Sequence, residues 1–260
     1  MKQGELFAGI GGFGLAGRWC GIESVFQVEI DPFCQKVLKK NFPNAQLFAD
    51  VREFDGKPFA GAIDILSGGF PCQPFSHAGK RLGTDDERHL WPEMLRIIRE
   101  IQPRWVVGEN VRGFVDWNGG MVFEQVLSDL EASGYEAQAF ILPAASVNAP
   151  HKRERCWIVA HTTKIRYNAP IPQNSEIENS KLKAEKWGKA WDEFRLVAGI
   201  GHTNIGFSSW GVAEPVVIRS DDGVSEKLDR IRCGMIGNAI VPQVAHQIFK
   251  AILDYEAIEK

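Results

Sequence analysis

The sequence predicts an α/β protein with a doubly wound, mostly parallel sheet and a second, smaller and irregular lobe. Over residues 1–160, short apolar segments alternate with segments of helical periodicity, as in a parallel sheet with crossover helices. A glycine-rich turn directly follows the first predicted strand. After His161 the alternation stops, and Asn, Ser, Lys and Trp become frequent. A chain of 260 residues can build one sizeable core and a smaller appendage.

Each element of the large lobe is predicted from its local pattern. Short apolar runs predict strands at residues 4–7, 25–29, 46–49, 62–66, 104–108, 137–142 and 156–160. Helical spacing predicts three helices at residues 32–41, 90–101 and 122–132. It also predicts a helix after the glycine-rich turn that ends near residue 20, and a C-terminal helix that begins at residue 242. Asp31 supplies an N-cap and Pro32 the first helical position of the second helix. We assign residues 1–161 and 230–260 to the large lobe and 162–229 to the small lobe.

Composition narrows the class of protein. No apolar run is long enough to cross a bilayer, and residues 1–5 lack the apolar region of a signal peptide. We therefore expect a cytoplasmic protein without a membrane partner. The 5 cysteines are dispersed without a Cys-x-x-Cys pair, which argues against a disulfide framework or a metal site. A net charge of −3 leaves room for a local basic face.

The turn from Phe7 to Gly14 indicates a nucleotide cofactor. It contains G-x-G-x-x-G between a strand and a helix, where glycines let the backbone approach a ligand closely. Glu29 ends the second strand, where it can bind a ribose hydroxyl, and Asp50 ends the third, where it can accept from an adenine amino group. These residues alone leave open a nicotinamide dinucleotide or S-adenosylmethionine.

A second loop indicates a reactive cysteine. Cys72 follows the fourth strand, with Pro71 before it and Pro74 after it. The prolines stiffen a non-helical loop that presents the thiol. A cysteine that only fills a core does not need such a loop, so a reactive thiol is favoured.

Polar side chains at other strand ends are expected in the same crevice. Glu109 follows the strand at 104–108, and Arg153 and Arg155 precede the strand at 156–160. In an extended segment these two arginines point to the same face. One thiol, one carboxyl and two guanidinium groups therefore converge.

The chain resembles the DNA (cytosine-5) methyltransferases, whose motifs it carries in the family's order. The resemblance covers about residues 1–160 and 233–253. The matching segments are Leu6–Gly12, Pro71–Ser76, Asp86–Leu90, Glu109–Val111, Arg153-x-Arg155 and Gly237–Pro242.

The resemblance implies a Rossmann-like fold, S-adenosylmethionine as cofactor, and methyl transfer to C5 of a flipped-out cytosine in a specific DNA sequence. It implies that Cys72 attacks C6, Glu109 holds N3, Arg155 holds O2, and Arg153 supports the loop and lowers the thiol pKa. The implied cofactor residues are Phe7, Ala8, Gly9, Ile10, Gly12, Glu29, Ile30, Asp31, Asp50, Val51, Pro71, Leu90, Asn238, Ala239 and Ile240.

The resemblance also predicts the partners. We expect a monomer of bacterial or bacteriophage type that acts on double-stranded DNA, reads the target sequence with its small lobe, and has a separately acting restriction endonuclease. One alternative is a transfer-RNA cytosine-5 methyltransferase, although its Cys-Phe-Thr signature is not seen in the small lobe. Another is a non-catalytic DNA-binding relative, which would be expected to have lost Cys72, Glu109 or the arginine pair.

Overall fold

The computed structural model describes residues 1–71, 90–149, 151–162 and 238–258. Within these ranges seven strands form one sheet, in the order β3-β2-β1-β4-β5-β7-β6. The strands are β1 (Lys2–Leu6), β2 (Glu23–Val28), β3 (Gln46–Phe48), β4 (Ile65–Gly68), β5 (Trp105–Val111), β6 (Tyr135–Pro143) and β7 (Glu154–Thr162). The helices are α1 (Gly12–Trp19), α2 (Pro32–Asn41), α3 (Trp91–Ile101), the short α4 (Gly113–Asp116), α5 (Met121–Ala132) and α6 (Pro242–Ile258).

The sheet is parallel from β3 to β5 and contains one reversed strand. β1 pairs in parallel with β2 and β4, and β4 pairs in parallel with β5. β7 lies antiparallel between β5 and β6. The predicted α/β class and mostly parallel sheet are confirmed. Because β7 is reversed, its first residues lie at the same edge of the sheet as the last residues of β5.

Helices cover both faces of the sheet. On one face, α3 and α5 pack against a core that includes Leu66 and Val106. On the other face, α1 and α6 pack against Trp105 and Val107. Successive residues of β5 therefore contribute to opposite cores, as the period of two in a strand requires. This burial on both faces makes the sheet a rigid support for the loops at its edges.

The predicted capping of α2 is confirmed. Asp31 Oδ1 accepts from the backbone N–H groups of Phe33 and Cys34, at N···O distances of 2.8 and 3.0 Å. Pro32 occupies the start of the helix, where its missing N–H costs no hydrogen bond. The predicted helix 32–41 has the bounds observed.

Several local expectations are wrong. Glu109 lies within β5 rather than after it, and Arg155 lies within β7 rather than before it. The fourth strand spans Ile65–Gly68 rather than 62–66. At its end, a Cβ atom on Gly68 would lie 3.1 Å from the Leu6 carbonyl oxygen of β1, so the missing side chain permits this close pairing. Arg153 has a φ of 31° and precedes β7, so it does not share an extended segment with Arg155.

The predicted small lobe, 162–229, lies outside the described residues except for Thr162, which ends β7. Its bounds stay a prediction. No helix of the described part of the chain is both long and apolar enough to span a membrane.

Candidate active site

The predicted cofactor turn lies where the strand order reverses, between β1 and its two neighbours β2 and β4. Such a switch point opens a crevice beyond the carboxyl ends of the strands. Gly9 and Gly11 have φ values of 54° and 87°, which glycine adopts without strain. A Cβ atom on Gly9 would meet none of the described residues within 4 Å. On this side, the backbone of the turn therefore borders space that no described residue fills.

Glu29 connects the turn to the end of β2. Its Oε2 accepts from the Gly9 N–H at 2.6 Å, and its Oε1 accepts from the Asp31 N–H at 2.8 Å. The side chain is largely buried. A carboxylate held in this way has further lone pairs, which can accept from the two hydroxyls of a ribose.

The next two predicted cofactor segments flank Glu29. Ile30 exposes 64% of its surface despite its apolar side chain, so it offers a flat apolar contact beside a polar anchor. Asp50 follows β3 and pairs with Arg52, with 2.6 Å between Oδ2 and the guanidinium nitrogen. Hydrogen bonding from Arg52 lowers the pKa of Asp50, which keeps this acceptor ionised.

Arg96 of α3 holds the segment that follows Asp50, a role that the sequence analysis missed. Its guanidinium donates to the carbonyl oxygens of Val51 and Phe54, at 2.8 and 3.0 Å. It also pairs with Glu93 and Glu100, both at 2.9 Å. An arginine one turn from two glutamates on a helix is a common surface pattern, so the sequence carries no distinct signal for this contact.

The segment at 238–240 returns to the glycine turn. A Cβ atom on Gly12 would lie 2.5 Å from Ile240 Cγ1, so only glycine fits against this side chain. The Arg153 guanidinium donates to the Ala239 carbonyl oxygen at 2.7 Å. The C-terminal segment is thus connected both to the turn after β1 and to the residues before β7.

The loop that begins after β4 lies against the end of β5. Asn110 Nδ2 donates to the Phe70 carbonyl oxygen at 3.3 Å. A Cβ atom on Gly69 would lie 3.2 Å from Glu109 Oε2. Pro71 is the last described residue of this loop, and Cys72 lies outside the described residues.

Glu109 and Arg155 form an ion pair on adjacent antiparallel strands. The distance from Arg155 Nε to Glu109 Oε1 is 3.2 Å. Burial raises the pKa of Glu109 to about 7, against the nearby charges of Arg155 and Arg153, which lower it. Burial also lowers the pKa of Arg153, and the charge of Arg155 adds to this effect. The carboxyl can therefore carry or release a proton near neutral pH.

Glu5 is a second buried carboxyl that the sequence analysis did not assign to the site. Its Oε1 accepts from the Phe13 N–H at 3.1 Å, and its Oε2 accepts from the Gly14 N–H at 3.2 Å and from Gln27 Nε2 at 2.9 Å. Glu5 thus caps the N-terminus of α1, where Gly11 has no capping side chain. The available signal was an acidic residue in an apolar strand just before a glycine turn.

The structure brings the predicted residues to one edge of the sheet in three groups. The turn after β1 carries Phe7, Ala8, Gly9, Ile10 and Gly12. The ends of β2 and β3 carry Glu29, Ile30, Asp31, Asp50 and Val51, and the returning segment carries Asn238, Ala239 and Ile240. Leu90 directly precedes α3 and is half-buried. A turn at Gly9 that no described side chain covers, a carboxylate acceptor and an exposed apolar side chain fit the polar and aromatic parts of S-adenosylmethionine.

No group of three or more His, Cys, Asp or Glu side chains in the described ranges could hold a metal ion.

Comparisons with known proteins agree with this architecture. Type II methyltransferase M.Eco47II of Escherichia coli is 41% identical over 159 residues, which are 60% of this chain and 38% of that protein. M.AquIA of Picosynechococcus sp., also a Type II methyltransferase, is 31% identical over 210 residues, which are 74% of this chain and 84% of that protein. A crystal structure of a DNMT2 mutant of Spodoptera frugiperda is similar with a TM-score of 0.53 and 26% identity, covering 66% of this chain and 53% of that one.

The chain spans about two fifths of the length of M.Eco47II. The model of the C-5 cytosine-specific DNA methylases matches residues 1–192. Because this description names DNA, the transfer-RNA alternative is not favoured. The fold, the order of the motifs and this match agree, and the chain belongs to the C-5 cytosine-specific DNA methylase family.

Proposed function

We propose that this protein transfers a methyl group from S-adenosylmethionine to C5 of a cytosine extruded from duplex DNA. The observation that carries the proposal is the buried Glu109–Arg155 pair beside the start of the Cys72 loop. To be held in the site, a cytosine ring needs one hydrogen-bond donor at N3 and another at O2. Glu109, with its pKa raised to about 7, supplies the first when protonated, and Arg155 supplies the second.

The nucleophile in this proposal is the Cys72 thiolate. Its sulfur forms a bond to C6 of the base, and the electrons of the C5–C6 double bond make C5 nucleophilic. Glu109 stabilises the charge that develops at N3. C5 then takes the methyl group as its bond to the sulfonium sulfur of the donor breaks, which leaves a neutral thioether. A base or water removes the C5 proton, and the sulfur of Cys72 leaves C6 as the double bond re-forms. The ring is accessible to these groups only outside the base stack.

The predicted cofactor residues bind and orient the methyl donor in this proposal. S-adenosylmethionine supplies an electrophilic methyl group on a sulfonium. Glu29 binds the ribose hydroxyls, Ile30 packs on the adenine ring, and Asp50 accepts from the adenine amino group. The support for these roles is that no described residue lies within 4 Å of a Cβ atom placed on Gly9, and that acceptors stand at the ends of two neighbouring strands.

Sequence specificity belongs, in this proposal, to residues 162–229. The large-lobe residues that match the family are committed to the cofactor, the cytosine ring and the loop, so others must read the neighbouring bases. Replacing the segment with that of a relative of different specificity is expected to move the methylated sequence. A chimera that is active on the original site would assign recognition to the large lobe. The monomeric state and the separate endonuclease stay predictions.

The proposed chemistry is tested with duplex DNA that contains 5-fluorocytosine, whose C5 cannot lose a proton. The wild-type protein is expected to form an irreversible adduct with it in the presence of S-adenosylmethionine. Cys72→Ala is expected to form none, to transfer no tritiated methyl, and to bind the cofactor with nearly unchanged affinity. Cys20→Ala, which removes a thiol far from the site, is the matched control and is expected to behave like the wild type.

Bisulfite sequencing of a plasmid from a host that expresses the chain identifies the methylated sequence. Substantial methyl transfer by Cys72→Ala would falsify the covalent mechanism. Transfer into duplex RNA but not DNA would contradict the proposed substrate.

A further inference from the structure

Two cations and one carboxylate form a cluster beside the Glu109–Arg155 pair, and the proposed chemistry uses none of them. We propose that Arg112 and Lys152 bind the DNA backbone phosphates that flank the extruded cytosine, and that Glu154 pairs with both side chains until DNA displaces it. The inference rests on the proposed function, because it concerns the surface around the proposed base site. The three residues are called the rim cluster below.

Glu154 bridges the two cations of the rim cluster. Its Oε1 lies 3.2 Å from Lys152 Nζ, and its Oε2 lies 3.8 Å from Arg112 Nε. The sheet register explains the arrangement. Val111 of β5 pairs with Arg155 of β7, so the residues just beyond them, Arg112 and Glu154, are also neighbours.

The rim cluster is exposed and carries an excess of positive charge. The side chains of Arg112 and Lys152 are 60% and 74% exposed, and that of Glu154 is 27% exposed. Two cations share one carboxylate, so one positive charge is not compensated within the cluster. Exposed ion pairs are weak, and a phosphate can therefore replace the carboxylate as the partner of each cation.

The backbone of Glu154 connects the rim cluster to the proposed base site. The Arg155 guanidinium, which pairs with Glu109, also donates to the Glu154 carbonyl oxygen at 2.9 Å. An extruded nucleotide stays covalently attached to the phosphates on both of its sides. These phosphates must therefore pass the mouth of the site that holds the base. Cations at that mouth meet them without contacting the base.

Because the chain as a whole is negatively charged, its binding to DNA depends on local groups of cations. The net charge is −3, so the protein as a whole repels a polyanion and local cations must supply the attraction. Contacts to phosphate position DNA without reading its sequence. The rim cluster is accordingly expected to act on all sequences alike.

The experiment measures binding of the full chain to fluorescein-labelled duplex DNA of random sequence, by anisotropy over a series of salt concentrations. Arg112→Gln and Lys152→Gln are each expected to weaken binding about 3- to 10-fold at 0.1 M salt and to reduce the slope of log K against log salt by about 1. Glu154→Gln is expected to strengthen binding about 2- to 5-fold, because it frees both cations for phosphate.

Arg99→Gln and Lys57→Gln are the charge-matched controls. Both residues are exposed, and both lie near the opposite edge of the sheet, at the end of α3 and before β4. Each is expected to leave the affinity and the salt slope unchanged. Thermal unfolding and S-adenosylmethionine affinity are expected to be the same in all five variants and in the wild type.

Glu154→Gln separates a DNA-binding role from a structural one. If the ion pairs only stabilise the fold, this variant loses stability and gains no affinity for DNA, which overturns the proposal. Unchanged salt slopes in both cation variants also overturn it, as does a larger loss of affinity for duplex RNA than for DNA. A wild-type protein that methylates no DNA contradicts the proposed function instead, since the binding measurements do not depend on turnover.

Discussion

Glu5 is a single residue that organises the start of the proposed cofactor site. It is buried in β1, and its carboxylate accepts from Phe13, Gly14 and Gln27. Burial raises its pKa to about 7, although these hydrogen bonds lower it. The first helical turn of α1 therefore depends on the Glu5 carboxylate, whose ionisation burial opposes. It also depends on the glycines of the loop before the helix.

We expect Glu5→Ala to lower the free energy of unfolding by about 1–3 kcal/mol, because three buried donors lose their acceptor. The same variant is expected to bind S-adenosylmethionine more weakly, since α1 begins where the glycine turn ends. Urea unfolding and calorimetric titration measure the two effects. Glu5→Gln, which keeps one acceptor oxygen, is the intermediate control. Equal stability of all three proteins would mean that the cap is dispensable.

Glu29 and Asp50 are both proposed to bind the cofactor, but they differ in what else they hold. Glu29 also accepts from Gly9 and Asp31, whereas Asp50 is a surface residue paired with Arg52. We expect Glu29→Ala to weaken S-adenosylmethionine binding about 10- to 100-fold and Asp50→Ala about 2- to 10-fold, because Glu29 is buried and also holds the turn, whereas Asp50 is partly exposed to water. Calorimetry that found no change in either variant would remove both residues from the site.

Among the helices, α6 is anchored to the sheet by a polar contact at the edge opposite the site. Glu256 accepts from the indole N–H of Trp105 at 2.9 Å and pairs with Arg104. Closer to the site, Val244 and Ile248 of the same helix pack in the core that includes Phe13 of α1. The helix is therefore held both by apolar packing and by a buried acceptor at its far end.

Glu256→Ala is expected to lower the free energy of unfolding by about 1–3 kcal/mol, because the buried indole loses this acceptor. Urea denaturation measures the change, and amide hydrogen exchange should show that it is largest in α6. Glu256→Gln retains an acceptor and should lose less. An unchanged denaturation midpoint for the alanine variant would show that packing alone holds the helix.

The elements that could be predicted best from the sequence are those that a few neighbouring residues determine. Asp31 and Pro32 define the start of α2 within a few residues, so its bounds could be predicted. The direction of β7 could not, because parallel and antiparallel strands have the same apolar pattern when both faces are buried. Arg155 reaches Glu109 only because β7 is reversed.

Contacts between distant residues were the least predictable part of the site. Arg96 holds the segment after Asp50, and Glu5 caps a helix that begins after the next turn. Neither side chain differs in type from an ordinary surface residue, and its role depends on burial and on partners that only the fold supplies. The glycine turn and the acidic strand ends were predictable because backbone approach and hydrogen bonding restrict the residue types there.

At the scale of the whole molecule, burial raises the pKa of two carboxyls among the described residues, Glu5 and Glu109, from 4.5 to about 7 in each case. Between these pH values the folded state binds more protons than the unfolded state. Stability is therefore expected to fall as the pH rises from about 4.5 to 7, by up to roughly 1.4 kcal/mol per pH unit for each group.

Urea unfolding across this pH range measures the effect. Glu5→Gln and Glu109→Gln should each flatten the slope by about half, because each removes one titrating group. A wild-type stability that rises over the same range would show that the two carboxyls are ionised throughout.

The contacts of Ile240 with Gly12 and of Ala239 with Arg153 have a consequence for protein synthesis. A ribosome translates the glycine turn early and residues 238–240 more than 220 residues later. Throughout that interval the nascent chain lacks the side chain that covers Gly12 and the carbonyl that Arg153 binds. A product of premature termination before residue 238 therefore has an unfinished cofactor site, and cells that accumulate such fragments should gain no methylation from them.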